Sequence, residues 1–365
     1  MPLVPRNIKA LEPYKAGKPI EEVKRELGLE KVIKLASNEN PQGPPESAIA
    51  AARLALQNVH RYPDPSGFTL RTKLAKRFNV KLENVIHGAG SEGIMSTIMR
   101  TFLLDDDEII TAAGSFIGFR VLAEASGNPV HWVPMKNDRY DLVAMAELIN
   151  DYTKIIYIAN PDNPTGSYVT KSEFDEFMTH VPDRVLVILD EAYFEYAQAT
   201  PDYPDSMHYR YDNVITLRTF SKVYGMAGLR VGYGFAHDEL IGNLLKVKLP
   251  FEMSIPAQAA AEAALEDEDY LKRSLEINRA GLGLFEKRLT EWGIRFIPSV
   301  TNFITLRFGT PDQAGDFAKN MLLEGVIVRP LGGFGQHDAV RITIGLPEEN
   351  EACLKVMKKL LKARS

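Results

Sequence analysis

The sequence predicts an α/β protein in which a doubly wound large domain is followed by a smaller α+β domain. Between residues 84 and 217, short apolar segments alternate with helical segments. The apolar segments are nearly continuous, which is typical of parallel strands covered by helices on both faces. After Phe235 the alternation changes to helices and then to mixed strands and helices. A length of 365 residues accommodates two domains.

The elements of the large domain follow one another in a regular order. The predicted strands are 84–87, 109–111, 130–133, 154–159, 185–189 and 214–217, and the predicted helices are 46–59, 70–78, 94–103, 119–125, 142–150 and 171–178. In an open parallel sheet, ligands bind beyond the carboxyl ends of the strands. We therefore expect the functional residues at that edge.

The remaining segments complete three predicted regions. Residues 1–34 form an N-terminal arm with one short helix and join the small domain, 35–265 form the large domain, and 266–365 form the small domain. A long helix at about 269–292 is the predicted hinge. The other predicted elements are helices 241–249, 256–265, 312–323 and 347–363 and strands 295–297, 302–307, 326–329 and 340–344.

Composition and charge argue against several kinds of partner. The net charge of -5 does not favour a nucleic acid. Cys353 is the only cysteine, so neither a disulfide framework nor a cysteine-based metal site is expected, and a cytoplasmic setting fits. No segment approaches the roughly 18 apolar residues of a membrane span. Residues 1–7 lack the apolar core of a signal peptide.

A glycine-rich segment, Gly88–Gly93, leaves two chemical interpretations open besides a purely structural turn. It matches G-x-G-x-x-G between a strand and a helix, which is typical of NAD-dependent dehydrogenases. The acids that should follow the second strand precede it instead, at 105–108, and the segment lies far inside the chain. The alternative is a phosphate site on the helix N-terminus.

Polar motifs follow other predicted strands of the sheet and complement this segment. They are Asn160–Gly166, Asp190–Tyr193, and Ser221–Lys222 with Arg230. A strand-end lysine can form a Schiff base with an aldehyde, and an arginine pairs with phosphate oxygens. This combination predicts pyridoxal 5'-phosphate.

Each remaining group has a matching task on that cofactor. Asp190 could pair with the protonated ring nitrogen, while Asn163 and Tyr193 could hydrogen-bond the phenolate oxygen. Taken singly, each motif also has a structural explanation, as a turn, a helix cap or a core tyrosine. Their coincidence at one sheet edge favours the cofactor site.

Taken together, these motifs resemble those of class I and II aminotransferases of pyridoxal-phosphate fold type I. Asn-Pro-Asp-Asn-Pro-Thr-Gly, Asp-Glu-Ala-Tyr and Ser-Lys with Gly-Leu-Arg carry the resemblance. The segments 35–41, 61–64, 328–329 and 340–345 are similar, more narrowly, to the histidinol-phosphate aminotransferase family. The resemblance implies a three-layer αβα large domain and a homodimer with shared active sites.

The resemblance also implies a role for each candidate residue. The implied cofactor residues are Lys222 as the Schiff-base lysine, Asp190 at the ring nitrogen, Asn163 and Tyr193 at the ring hydroxyl, Phe116 stacked on the ring, Gly90, Ser91, Glu92, Thr219, Ser221 and Arg230 around the phosphate, and Tyr62 reaching the phosphate of the partner subunit. The implied substrate residues are Tyr14, Asn38, Arg329 and Arg341. No metal is implied.

The reaction implied is transamination between L-histidinol phosphate and 2-oxoglutarate, giving imidazole-acetol phosphate and glutamate. Phe116 stands where the family usually has a tyrosine, and it can stack without supplying a hydroxyl. An aromatic amino acid aminotransferase therefore stays open. A threonine-phosphate decarboxylase on the same fold is a further alternative. An NAD-dependent dehydrogenase is the alternative from another class.

Overall fold

The structure, a computed structural model, describes residues 3–13, 19–206 and 211–362. Its strands are β1 (Ile33–Lys34), β2 (Val85–Ala89), β3 (Glu108–Ala112), β4 (Val130–Val133), β5 (Thr153–Ala159), β6 (Leu186–Asp190), β7 (Val214–Thr219), β8 (Val231–Phe235), β9 (Phe296–Ile297), β10 (Phe303–Arg307), β11 (Val326–Ile327), β12 (Arg329–Pro330) and β13 (Ala339–Thr343). Its α-helices are α1 (Arg6–Ala10), α2 (Ile20–Leu27), α3 (Glu46–Ala55), α4 (Phe68–Arg77), α5 (Gly90–Phe102), α6 (Ile117–Ser126), α7 (Leu142–Glu147), α8 (Lys171–Met178), α9 (Phe194–Ala197), α10 (Asp238–Val247), α11 (Ile255–Ala264), α12 (Glu268–Glu291), α13 (Pro311–Leu323) and α14 (Pro347–Lys362).

A seven-stranded sheet in the order β2-β8-β7-β6-β5-β3-β4 forms the centre of the larger part. Its strands run parallel except β8, which pairs antiparallel with both β2 and β7. Every residue of β6 is buried, as expected for a strand covered on both faces. The predicted α/β class with a mostly parallel sheet is therefore confirmed.

Parallel pairing places the carboxyl ends of β5, β6 and β7 side by side. Ala159 pairs with Asp190, and Asp190 pairs with Leu217 on the next strand. The polar motifs that follow these strands consequently begin at one edge of the sheet. This register positions the candidate site.

The C-terminal part contains a four-stranded antiparallel sheet in the order β12-β13-β10-β9. Residues of α12, α13 and α14 share one hydrophobic cluster with this sheet. The N-terminal segment reaches it because β1 pairs in parallel with β11. Helix α1 instead contacts α6, where Asn7 donates a hydrogen bond to the carbonyl of Ala125 at 3.1 Å. The three-part division of the chain stays a prediction.

Two local expectations differ from the structure. The predicted strand 326–329 is divided between β11, which pairs with β1, and β12, which pairs with β13. A continuous apolar segment does not reveal such a change of partner. The N-terminal region also contains two helices, α1 and α2, where one short helix was expected.

Two further properties concern the described ranges only. None of their helices combines the length and the apolar character needed to cross a lipid bilayer. Within the same ranges, no three His, Cys, Asp or Glu side chains are grouped as metal ligands.

Candidate active site

A cavity of about 150 Å³ opens at the carboxyl ends of β5, β6 and β7. The predicted residues that line it are Ser91, Glu92, Phe116, Asn163, Asp190, Tyr193, Thr219, Ser221, Lys222 and Arg230. Ala159, Pro161 and Ala192 complete the lining and were not predicted. Small apolar side chains carry no chemical signal of their own, although all three lie in or beside the predicted motifs.

Lys222 is half-buried in the turn that follows β7 and lines the cavity. Its Nζ lies 5.4 Å from the centroid of the Tyr193 ring. The amine therefore faces the motif that follows β6, although the two residues lie on different strand ends. A lysine in this position can act as a nucleophile or as a proton carrier.

Asp190 ends β6 and is buried at the floor of the cavity. Burial raises the pKa of its carboxyl to about 6, while hydrogen bonds from Tyr157 and Ala192 and the charge of Lys222 oppose that rise. The Tyr157 hydroxyl donates to Asp190 Oδ2 at 2.8 Å, and the Ala192 N–H donates to Oδ1 at 3.2 Å. A carboxylate held in this way is suited to a cationic partner.

Tyr193 and Asn163 lie beside this floor and contact residues from distant parts of the chain. Asn38 Nδ2 donates a hydrogen bond to Tyr193 Oη at 2.8 Å. Asn163 Oδ1 accepts a hydrogen bond from Arg341 Nη1. Predicted substrate residues thus support predicted cofactor residues directly.

The opposite end of the cavity has the features of an anion site. Arg230 has a left-handed backbone with φ 53°, and its Nη1 donates to Ser221 Oγ at 3.2 Å. Its Nη2 donates to Glu92 Oε2 at 3.0 Å. A Cβ at Gly90 would lie 2.6 Å from Nη2, so glycine lets the guanidinium lie across the start of α5. Free amides of a helix N-terminus and an arginine together suit a phosphate.

Two hydroxyls extend this anion site beneath the arginine. The Thr219 hydroxyl donates to Ser221 Oγ at 3.0 Å, and the Ser221 N–H donates to Thr219 Oγ1 at 3.1 Å. Both residues are buried. This turn fixes the two hydroxyls before any ligand binds.

Arg341 and Arg329 lie on neighbouring strands of the small sheet, directly opposite each other in register. The central carbon of each guanidinium is 5.7 Å from the centroid of the Phe334 ring. Arg341 is buried and also donates to the carbonyl of Ala36 at 3.0 Å. Phe334 was not predicted, because a single phenylalanine in a loop gives no signal in the sequence.

Some predicted residues do not line the cavity. Asn38 is buried and contacts the hydroxyl of Tyr193. Gly90 lies next to the guanidinium of Arg230, which lines the cavity. Tyr62 is 79% exposed and stacks on Phe251, with a centroid distance of 4.4 Å. Tyr14 falls outside the described residues.

The cavity fits pyridoxal phosphate on chemical grounds. An amine, a buried acid and a preformed anion site surround one space, and a side chain at Gly90 would displace the arginine of that anion site. The fold and this site together are those of the fold type I class of pyridoxal-phosphate enzymes.

Comparisons with known proteins agree with this class. The family model for aminotransferase class I and II matches residues 30–356. Histidinol-phosphate aminotransferase of Anaeromyxobacter sp. (strain Fw109-5) is 44% identical, with 100% of both chains covered. Histidinol-phosphate aminotransferase 1 of Mannheimia succiniciproducens is 43% identical over 97% of each chain.

Solved structures agree at the level of the whole chain. The histidinol-phosphate aminotransferase of Sinorhizobium meliloti, in complex with pyridoxal-5'-phosphate, has a TM-score of 0.91 at 27% identity, covering 100% of this chain and 99% of that one. An aspartate aminotransferase of Thermus thermophilus, a single mutant, shares the fold, with a TM-score of 0.85 at 22% identity and coverage of 99% and 100%. The chain belongs to the class I and II aminotransferase family, in its histidinol-phosphate aminotransferase group.

Proposed function

We propose that the chain catalyses transamination between L-histidinol phosphate and 2-oxoglutarate, giving imidazole-acetol phosphate and glutamate in histidine biosynthesis. The observation that carries the proposal is the position of Lys222 and Asp190 around one cavity, with the Arg329–Arg341 pair linked to it through Asn163. Full-length relatives that are named histidinol-phosphate aminotransferase support the choice of substrate.

Pyridoxal phosphate, when bound, supplies an aldehyde that condenses with amines and a ring that withdraws electrons. The residues that would hold it are Lys222 at the aldehyde carbon, Asp190 at the ring nitrogen, Asn163 and Tyr193 at the ring hydroxyl, Phe116 against the ring face, and Gly90, Ser91, Glu92, Thr219, Ser221 and Arg230 around the phosphate.

Lys222 is the residue that moves protons in this proposal. Once a substrate amine has displaced it, its free Nζ would take a proton from the substrate α carbon and pass it to the carbon that had been the cofactor aldehyde, and the second substrate would reverse this transfer. The half-buried position of Lys222 beside Tyr193 supports this role, because the side chain can move within the cavity. The two substrates then react in turn at one site.

Arg341 and Arg329 would select anionic substrates. A planar guanidinium pairs with two oxygens of a carboxylate or a phosphate, so one pair of arginines can serve both 2-oxoglutarate and histidinol phosphate. Asn38 and Tyr14 are proposed to complete the substrate contacts. The burial of Arg341 strengthens its attraction for an anion, since water screens the charge less there.

The working form is proposed to be a cytoplasmic homodimer in which Tyr62 reaches the cofactor phosphate of the partner. Tyr62 is exposed and stacks on the exposed Phe251, and Leu54 and Val59, which precede Tyr62 in the sequence, are also exposed. These exposed apolar side chains support a contact with a second chain. A single buried cysteine, Cys353, suits a reducing compartment. The proposed regions remain 1–34, 35–265 and 266–365, with α12 as the hinge.

A half-reaction panel tests the proposed substrate. Histidinol phosphate, phenylalanine, tyrosine and threonine phosphate are each mixed with the cofactor-loaded protein while the visible absorbance of the bound cofactor is followed. We expect histidinol phosphate to convert the cofactor fastest, and Lys222→Ala to show no turnover. Faster conversion by phenylalanine, or carbon dioxide release from threonine phosphate, would contradict the proposal.

A further inference from the structure

Tyr157 lies outside the cavity lining, yet it contacts the buried acid of the site. It belongs to β5, and its hydroxyl donates to Asp190 Oδ2 at 2.8 Å. In the sheet Tyr157 pairs with Ile188, so Asp190, two residues further along β6, points to the same face. Both side chains are buried, which keeps water from competing for this hydrogen bond.

The tyrosine ring is held in place from its other side. Phe119 of α6 stacks on it almost in parallel, with centroids 3.9 Å apart and an interplanar angle of 6°. Phe116, which lines the cavity, immediately precedes this helix. The helix that begins directly after Phe116 therefore also holds Tyr157 against Asp190.

The hydroxyl of Tyr157 can only act as a donor to this carboxylate. Burial and the charge of Asp190 raise the pKa of Tyr157 well above its ordinary value, so its proton stays in place. Asp190 Oδ1 is meanwhile held by the N–H of Ala192. With one donor on each oxygen, the carboxylate has a single orientation towards the cavity.

We propose that Tyr157 is a positioning residue that fixes the Asp190 carboxylate in the orientation and charge state that a protonated ring nitrogen requires. This inference rests on the proposed function for the presence of pyridoxal phosphate. Because Tyr157 does not line the cavity, its effect would pass through Asp190. Removal of its hydroxyl leaves a buried carboxylate with one donor fewer.

The direction of the pH effect follows from the groups that face Asp190. Lys222, in the turn after β7, and the Tyr157 hydroxyl of β5 favour the charged form of Asp190. Burial and the charge of Glu92 in α5 oppose it. Loss of the hydroxyl must raise the pKa of Asp190 above about 6. In the variant, the Asp190 carboxylate then becomes protonated at a higher pH than in the wild type. Any defect in cofactor binding should therefore grow as the pH decreases.

The test measures cofactor binding rather than activity. The cofactor-free forms of the wild type and Tyr157→Phe are titrated between about pH 5 and 8 with pyridoxal phosphate and with an analogue whose ring nitrogen is replaced by carbon. We expect Tyr157→Phe to bind pyridoxal phosphate more weakly by about tenfold or more, increasingly so at low pH, because a hydrogen bond to a charged group typically contributes that much. The carbon analogue should bind the two proteins equally well.

Tyr203→Phe is the matched control. Tyr203 is a buried tyrosine whose hydroxyl donates to the carbonyl of Asn160 at 2.6 Å rather than to Asp190. Loss of the Tyr203 hydroxyl should leave the ratio of the affinities for pyridoxal phosphate and the carbon analogue unchanged. An equal loss of affinity for both ligands in Tyr157→Phe, or no loss for either, would overturn the inference. Wild-type protein that binds pyridoxal phosphate in this nitrogen-dependent way but converts no histidinol phosphate would refute only the proposed substrate.

Discussion

Asn38 donates a side-chain hydrogen bond to the hydroxyl of Tyr193 at 2.8 Å. Asn38 has a left-handed backbone with φ 54°, and its own Oδ1 accepts a hydrogen bond from the Thr343 hydroxyl at 3.1 Å. A phenol has one proton to donate and can accept in return. The amide of Asn38 therefore leaves the Tyr193 proton available for a ligand oxygen.

We expect Asn38→Gly to lower kcat/KM about threefold to tenfold, the usual range for one hydrogen bond. Glycine tolerates the positive φ, so the substitution removes the amide without straining the backbone. Steady-state kinetics with both substrates check this. Asn79→Gly, at another positive-φ asparagine that is exposed, is the control and should have no effect. Equal kinetics for Asn38→Gly and the wild type would show that Tyr193 needs no such support.

Arg341→Lys should raise KM for 2-oxoglutarate about tenfold or more, because lysine keeps the charge but loses the planar fork. The affinity for pyridoxal phosphate should change much less. Titrations of each ligand separate the two effects. Arg288→Lys, at an exposed ion pair on α12, keeps the same chemistry as a control and should leave both constants unchanged. Loss of cofactor affinity alone would assign Arg341 to the cofactor.

Tyr62 should act across a dimer interface. In a mixed dimer of a Lys222→Ala chain and a Tyr62→Ala chain, one site would combine an intact Lys222 with an intact Tyr62 from its partner. We therefore expect co-expressed, doubly tagged mixed dimers to be more active than either parent. The measurement is specific activity after tandem affinity purification. Mixed dimers no more active than the Tyr62→Ala parent would indicate that Tyr62 works within its own chain.

His87 should make the protein less stable in mild acid. It is buried beneath Gly67, and burial, together with the charges of Lys248 and Arg71, lowers its pKa to about 4. The unfolded chain binds this proton near the ordinary value of about 6.5. Below about pH 6.5 the unfolded chain therefore binds a proton that the folded chain does not bind at His87. The free energy of unfolding is unaffected by this residue above about pH 6.5 and decreases as the pH falls towards about 4, by at most about 3 kcal/mol.

Urea unfolding of the cofactor-free protein measures this loss. The difference in unfolding free energy between the wild type and His87→Gln should shrink as the pH falls through that window. Leu104→Gln serves as the control, because Leu104 is 75% exposed and has no titratable group, so its substitution should leave the pH dependence of unfolding unchanged. A difference that stays constant with pH would mean that His87 does not titrate on unfolding.

The predicted alternation of strands and helices agrees closely with the structure in the large sheet. The predicted strands 130–133 and 154–159 correspond to β4, Val130–Val133, and β5, Thr153–Ala159, for example. Agreement was poorer at 326–329, where the chain exchanges one partner strand for another within a few residues. Hydrophobic periodicity reports burial and not the partner of a strand, and only Val328 separates β11 from β12, so the pattern could not reveal the change.

The sequence by itself determined the chemistry of the cavity. Lys222, Asp190 and Asn163 follow predicted parallel strands, and the carboxyl ends of such strands share one edge whatever their order, so local pattern was sufficient. Only the tertiary structure decided which residues support them. Tyr157 reaches Asp190 because β5 and β6 are neighbours in one register, and Asn38 reaches Tyr193 across 155 positions of the chain. Such contacts depend on strand order and side-chain packing, which a local sequence pattern does not specify.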